Sequence, residues 1–391
     1  MRGVPAALGG RKGLRLQGFA ALKRYGKFLL MREKEKNMRQ IHTVALIGLG
    51  AMGAYFAPRL YEEFGDNFRV IAGGDRKKRL EENGIVINGT RRYFPVVDPK
   101  ECGEPADLVI IAVKGYGLDQ AIEDIRNQVG ENTVILSVLN GVDSEQRVIE
   151  AYGEDKVLYS YMRVSVVMKD GCTSYDPALG NIHFGEKLNE EGAYTDRVLA
   201  VKEVFDRCGI TNIIDPDMIK GIWFKFMCNV GENLTCALLG IPFGVFRTSD
   251  HANAIRRKAM EEVVLIAQEL GVDLGKEDMD RQESTLMALP FQNKPSTLQD
   301  LEAGKRTEID MFAGTVIEYG RKLGIATPVN EMFYHAIHVL EEKCGGSFQA
   351  ADQAGLRAAV VLSQQIPGGM GRIIIFPKPL QGFPVYSGSC L

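Results

Sequence analysis

The sequence predicts a doubly wound, mostly parallel α/β domain followed by an all-α domain. Three observations carry this. Strands and helices alternate through the first half of the folded region, the strands are continuous apolar runs, and from about Pro216 only helical spacing remains. Non-alternating apolar strands set between helices belong to a parallel sheet covered on both faces. A chain of 391 residues also exceeds what one hydrophobic core usually holds, so two domains are expected.

Residues 1–32 carry eight Lys or Arg and no acid. That bias is similar to a transit peptide, although serine is absent. Met31 or Met38 would place a start just before the first strand, so residues 1–40 are set outside the fold. Residues 42–47 (HTVALI) form a β-branched strand, the glycine loop follows at once, and 54–64 has helical spacing. A second strand covers 68–72, and a charged helix covers 75–83 and closes at Gly84. Residues 85–88 and 92–97 read as a hairpin around Asn88-Gly89. Then come a strand at 106–113, a helix at 117–128 and a strand at 133–138. The sheet domain is drawn as 41–215. In 216–345, helices are expected at 218–239, 250–270, 276–289, 296–323 and 330–343. Residues 346–391 read as an irregular tail without helical periodicity.

Composition excludes several classes. The net charge of -3 gives no overall attraction to nucleic acid or anionic membrane. The uncharged run at 43–58 is interrupted by glycines and ends in proline, so it reads as strand, turn and helix, with no membrane span. Seven cysteines with no C-x-x-C pair argue against zinc or a disulfide framework and for a reducing cytoplasm. No G-x-S-x-G motif is present. His335 and His338 lie near Glu331 and Glu341, but a catalytic metal usually needs a third clustered ligand, so no metal is expected.

The loop Gly48-Leu49-Gly50-Ala51-Met52-Gly53 is G-x-G-x-x-G set between a strand and a helix. The first glycine permits the tight turn, the second lets backbone approach a pyrophosphate, and the third lets helix and strand pack closely. The motif alone is weak; in this β-α context it predicts a Rossmann dinucleotide site. After the second strand the chain reads Asp75-Arg76-Lys77-Lys78-Arg79. An acid there favours NAD, and a cation favours the 2′-phosphate of NADP. The cluster points to NADP, with Arg76 the best single candidate; Lys78 and Arg79 fit a solvated helix face as well.

Lys225, Asn229 and Asn233 fall at i, i+4 and i+8 in an apolar helix, so they share one face. Reducing a 2-oxo acid needs a general acid at the carbonyl oxygen and donors for the carboxylate. A lysine can be the acid if burial lowers its pKa. A structural polar stripe facing the other domain would have the same spacing, and spacing alone leaves both open. Lys114 and Asn140 end buried parallel strands, where ligand crevices form; a solvent-facing loop lysine and an Asn-Gly turn are the plain alternatives. Ser296, with Gln299 three residues on, reads as a capping box, which is compatible with ligand binding.

With these pieces the sequence resembles the ketopantoate reductase family over residues 42–343. The resemblance rests on the glycine loop, Lys114, Asn140-Gly141, the Trp223-x-Lys225-x-x-x-Asn229-x-x-x-Asn233 helix, and Ser296 twelve residues before Glu308 within P-S-x-L-Q-D…R-T-E-I-D. It implies a helical domain of the 6-phosphogluconate dehydrogenase-like type and NADPH-dependent reduction of 2-dehydropantoate to (R)-pantoate, a step toward pantothenate and coenzyme A. It implies Lys225 as general acid and Asn140, Asn229, Asn233 and Ser296 as substrate ligands. Lys114 and Asn140 would meet the cofactor, and Glu308 would orient groups near the nicotinamide ribose and Lys225. A homodimer is compatible with the sequence. The chain departs at Ile241-Pro242-Phe243-Gly244, where Phe243 stands at about the place of an Asn in many members. A reductase of another 2-oxo acid on the same plan, or an NADP(H) sensor without turnover, are the alternatives.

Overall fold

The computed structural model describes residues 40–344, residue 170 excepted. The readings of a basic extension and an irregular tail fall outside the described residues. The centre of the fold is an eight-stranded sheet in the order β12-β11-β8-β7-β6-β1-β2-β5. Its parallel heart is β1 (Val44–Ile47), β2 (Phe68–Ile71), β6 (Leu108–Ile111) and β7 (Val134–Ser137). Every residue of β1, β6 and β7 is buried. The pleat explains why these strands are apolar throughout. Val44, Leu46, Leu108 and Ile110 feed one core with α1 (Ala51–Phe64) and α5 (Asp196–Arg207). Their neighbours Ala45, Ile47, Val109 and Ile111 feed a second core with α3 (Leu118–Asp124) and α4 (Ser144–Tyr152). Side chains alternate between faces, so a sheet covered twice needs both sets apolar.

The hairpin expected at 85–97 is only partly correct. β3 (Ile85–Ile87) and β4 (Thr90–Arg92) pair across Asn88 and Gly89, both at positive φ (48° and 76°), as a two-residue type I′ turn requires. β5 (Val96–Val97) instead leaves the hairpin and joins the main sheet beside β2. The hairpin builds a second sheet with β9 (Val166–Lys169) and β10 (Cys172–Tyr175). The edge of the main sheet is completed by β8 (Val157–Arg163), β11 (Asn181–Gly185) and β12 (Asn212–Ile213), with β8 and β11 antiparallel.

Helices follow. The segment expected as one helix over 218–239 is α6 (Met218–Cys228), a π turn at Asn229–Asn233 and α7 (Leu234–Leu239). The π turn has a tertiary cause. Gly231 lies so close to α8 (Asp250–Glu269) that a Cβ would sit 2.5 Å from Met260 Cγ and 2.9 Å from the Arg256 carbonyl oxygen. α9 (Lys276–Ala288) comes next. The single helix expected over 296–323 is corrected: α10 (Ser296–Glu302) stops, a loop follows, and helix resumes through a π turn (Asp310–Gly314) into α11 (Thr315–Leu323). Gly304, at φ 62°, ends α10 in a conformation L side chains avoid. Glu341, on α12 (Pro328–Cys344), accepts hydrogen bonds from Thr307 N (2.6 Å) and Oγ1 (2.7 Å) and pins the loop that carries Glu308. No helix among the described residues is long and apolar enough to cross a membrane.

Candidate active site

The site opens at the carboxyl ends of the parallel strands, where a doubly wound sheet leaves its crevice. A cleft of about 1150 Å³ is lined by Gly48, Gly50, Ala51 and Met52 of the glycine loop, and by Arg76, Lys114, Asn140, Ser296 and Glu308. The glycines divide their work as the motif demands. Gly48 has φ 94°, and a Cβ there would lie 2.5 Å from the Ala112 carbonyl carbon. A Cβ on Gly53 would lie 2.1 Å from the Gly48 carbonyl oxygen. At Gly50 a Cβ would meet nothing within 4 Å, which leaves the loop open on the cleft where a pyrophosphate would approach the first turn of α1. Leu49 differs: its side chain packs in the core, so only its backbone belongs to the loop surface. Arg76 lies near the start of α2 (Gly74–Asn83), exposed and lining the cleft, while its neighbour Lys77 is engaged by Glu101 at 2.6 Å.

From Asn140 and Glu308 on the cleft wall, five predicted residues form one hydrogen-bonded chain. Glu308 accepts from the Gly115 backbone N–H (3.3 Å) and from Asn140 Nδ2 (3.1 Å). Asn140 Oδ1 accepts from Lys225 Nζ (3.2 Å) and Asn229 Nδ2 (3.4 Å). Asn229 Oδ1 accepts from Asn233 Nδ2 at 3.4 Å. An ionised Glu308 can only accept and a lysine ammonium can only donate. The amide of Asn140 therefore has one sensible orientation, nitrogen to Glu308 and oxygen to Lys225. The π turn keeps the stripe aligned. On an α-helix each i, i+4 step drifts by about 40°, and the wider π turn rotates less per residue and offsets that drift at Asn233. Burial lowers the Lys225 pKa to about 8, and the positive charge of Arg163 adds to this against the weaker opposing pull of Cys228 and Glu308.

One predicted feature, the capping box at Ser296, is not formed, and one predicted residue, Lys114, has a partner the sequence reading did not give. Ser296 is the first residue of α10, exposed on the cleft, and caps nothing; Gln299 donates to the Lys294 carbonyl at 2.8 Å, so the expected capping box is not formed. Its hydroxyl is left facing the cleft. Lys114 is tied by Nζ to Asp300 Oδ2 at 2.6 Å, a link between sheet and helical region that sequence reasoning missed. Arg163 and its neighbours Gln282 and Glu232 were missed as well. His338 faces Glu341 (Nδ1, 3.0 Å) and Asp310 (Nε2, 3.3 Å). Among the described residues no group of three or more His, Cys, Asp or Glu side chains is arranged to hold a metal ion.

Two family models match the chain. The one described as ketopantoate reductase PanE/ApbA covers residues 44–189, and its C-terminal counterpart covers 217–341. The chain belongs to the ketopantoate reductase family. Membership makes it an oxidoreductase. A curated 2-dehydropantoate 2-reductase of Streptococcus pyogenes serotype M3 is 27% identical over 304 residues, 76% of this chain and 97% of the relative. The crystal structure of 2-dehydropantoate 2-reductase from Geobacter metallireducens matches with a TM-score of 0.65 at 25% identity, covering 76% of this chain and 99% of that one. A D-mandelate dehydrogenase solved with NADH and anilino(oxo)acetate matches with a TM-score of 0.69 at 21% identity, covering 78% and 99%. The members of this fold thus include reductases and a dehydrogenase of different acids, and NADH is bound by the last.

Proposed function

We propose that the chain reduces 2-dehydropantoate to (R)-pantoate with NADPH. The observation that carries this is Lys225, a half-buried lysine of lowered pKa that donates to Asn140, which is itself held by Glu308 where both line the glycine-loop cleft. A nicotinamide bound along the glycine loop would supply the hydride for the carbonyl carbon of the 2-oxo acid. The C=O electron pair then moves to oxygen, and Lys225 Nζ delivers the proton that makes it a hydroxyl. A pKa near the working pH suits an acid that must give its proton readily. Asn229, Asn233 and Ser296 hold the substrate's carboxylate and hydroxyl groups. Asn140 contacts both ligands and orients Lys225. Glu308 fixes Asn140 and the Gly115 backbone beside the nicotinamide ribose, and Lys114 supports the cofactor from its anchor on Asp300.

The cofactor preference rests on Arg76. Among the described residues it has no ion pair or hydrogen-bond partner, and it stands on the cleft wall after the second strand, where a 2′-phosphate would lie. Arg76→Ala is expected to raise the KM for NADPH by about tenfold or more, the worth of one charged hydrogen bond, and to leave the KM for NADH nearly unchanged. Equal effects on the two cofactors in steady-state assays would remove Arg76 from phosphate binding.

Phe243 supports a second reading. It packs against the apolar cluster of Cys236, Phe246, Ala252 and Leu286, so the polar group many relatives place near there is replaced by hydrocarbon. A 2-oxo acid with a less polar side chain would fit such a change. A panel of 2-oxo acids with NADPH tests both readings: preference for 2-dehydropantoate supports the first, and preference for another acid replaces it with the second.

A further inference from the structure

The two strand ends that carry the site each present a glycine to the same side chain. Gly115 lies four residues beyond β6, and Gly141 lies four residues beyond β7. The strands pair in parallel with Ile111 opposite Ser137, so the two glycines leave the sheet in register. Gly141 needs to lack a Cβ for its own φ of 102°. Gly115 is not at positive φ, and its reason is space. A Cβ there would overlap Met311 Cε and lie 3.2 Å from Met311 Sδ. A Cβ on Gly141 would lie 3.1 Å from Met311 Cγ and 3.3 Å from Sδ. One methionine therefore fills a notch that two glycines leave open.

Met311 belongs to the helical region, in the π turn at Asp310–Gly314, yet it packs against the sheet's second core, the cluster that holds Ile111 and Leu139. Val142, the residue after Gly141, makes the opposite exchange and packs against the helical core of Trp223, Phe226 and Phe312. The segment 140–142 is thus gripped from both sides, with Gly141 against Met311 and Val142 in the helical core. Asn140 is the polar member of that segment. Glu308 stands three residues before Met311, and its carbonyl oxygen accepts from Phe312 N at 3.0 Å, so Glu308 opens the helix whose first turn carries Met311. Residues three apart share a helix face. The Glu308 carboxylate meets the Gly115 N–H and Asn140, and on the same face the Met311 thioether covers Gly115 and Gly141.

Hydrogen bonds alone do not fix this line. Those that join Glu308 to Gly115 and Asn140, and Asn140 to Lys225 and Asn229, run from 3.1 to 3.4 Å, longer than the usual N–H···O separation of about 2.9–3.0 Å. Bonds of that length tolerate sliding. A side chain packed into a fitted notch does not, because close-packed neighbours leave it no void to move into. We propose that Met311 is a positioning residue for proton transfer: keyed between Gly115 and Gly141, it sets the register of Glu308 against Asn140 and, through Asn140, the placement of Lys225 Nζ. The inference deepens the reading of Lys225 as proton donor and rests on it for its catalytic consequence. Met311 is not among the residues that line the cleft, so it acts through Glu308 and Asn140.

The test compares the purified full chain with Met311→Ala, which empties the notch, and Met311→Leu, which nearly keeps its volume, each assayed well below its melting temperature. In protein labelled with [15N]asparagine, the side-chain amide signal of Asn140, identified by its loss in Asn140→Asp, reports the hydrogen bond to Glu308. Met311→Ala is expected to shift that signal, and Met311→Leu to leave it in place. In turnover with saturating NADPH and the preferred 2-oxo acid, Met311→Ala lowers kcat by about 10- to 100-fold, the cost of a misplacement of roughly 1 Å. The KM for the acid stays near wild type, and Met311→Leu restores kcat. In a Glu308→Ala background Met311→Ala costs little more, because residues that act through one another are not additive. Equal losses of kcat in the two backgrounds overturn the proposal, as does an Asn140 signal unmoved by Met311→Ala. If Met311→Ala does not fold, Met311→Val, which lacks the Sδ and Cε atoms, decides by the same two readouts. Absence of turnover by wild type on every acid sinks the reductase reading, whereas the Asn140 signal judges Met311 independently.

Discussion

Replacing Lys225 by methionine is expected to lower kcat by about 10²- to 10⁴-fold, the usual contribution of a positioned general acid, while NADPH still binds. Methionine keeps much of the side-chain volume in a site that is already apolar on both flanks (Phe224 and Phe226 are buried), so the fold should survive. Removing the ammonium also takes away one of the two donors on Asn140 Oδ1 and leaves Asn229 Nδ2 as the other. The polar chain to Glu308 therefore persists, and the loss is one of chemistry. Single-turnover oxidation of bound NADPH on adding the preferred 2-oxo acid reads this directly. A rate near that of wild type would remove Lys225 from proton transfer and return it to a structural stripe.

The second large effect separates two glycines of one loop. Gly53→Ala is expected to cost both stability and cofactor binding, because its Cβ would meet the Gly48 carbonyl oxygen at 2.1 Å and push α1 off β1. Overpacking of this kind typically costs about 1–3 kcal/mol, and the displaced backbone is the loop that faces the cleft. Gly50→Ala has open space at its Cβ and an extended φ of -102° that alanine adopts freely. Its Tm should match wild type while its NADPH affinity falls by about tenfold or more, since the added methyl stands where a pyrophosphate must touch backbone. Thermal melts and fluorescence titrations of the two variants side by side check this. Full NADPH affinity in Gly50→Ala would mean the dinucleotide does not lie across this loop.

Much of this was legible in the sequence, for reasons that are local. The glycine loop announces itself because a tight turn, a close approach and a close packing each exclude a side chain. The spacing of Lys225, Asn229 and Asn233 betrays a shared face because helical geometry is periodic. What was not legible depends on partners far along the chain. The π turn at Asn229–Asn233 follows from Gly231 meeting Met260 and from Glu232 pairing with Arg256, neither of which leaves a local trace. The break after α10 was hidden because the sequence on both sides of Gly304 suits a helix, and the loop is pinned from Glu341. Lys114 reads as a loop lysine until Asp300, 186 residues away, comes alongside. Arg163 reads as the polar end of a strand until Phe224 and Gln282 close around it.

The most direct test of the central claim is the pH dependence of kcat/KM for the unmodified enzyme, which reports the free enzyme's essential acid. Lys225 must carry its proton to act, and burial places its pKa at about 8 in place of the ordinary 10.5. The profile should be level up to roughly neutral pH and decline through an alkaline limb centred near pH 8, as the ammonium is lost. A profile that stays level until the range of an ordinary exposed lysine would contradict the assignment of Lys225 as the proton donor.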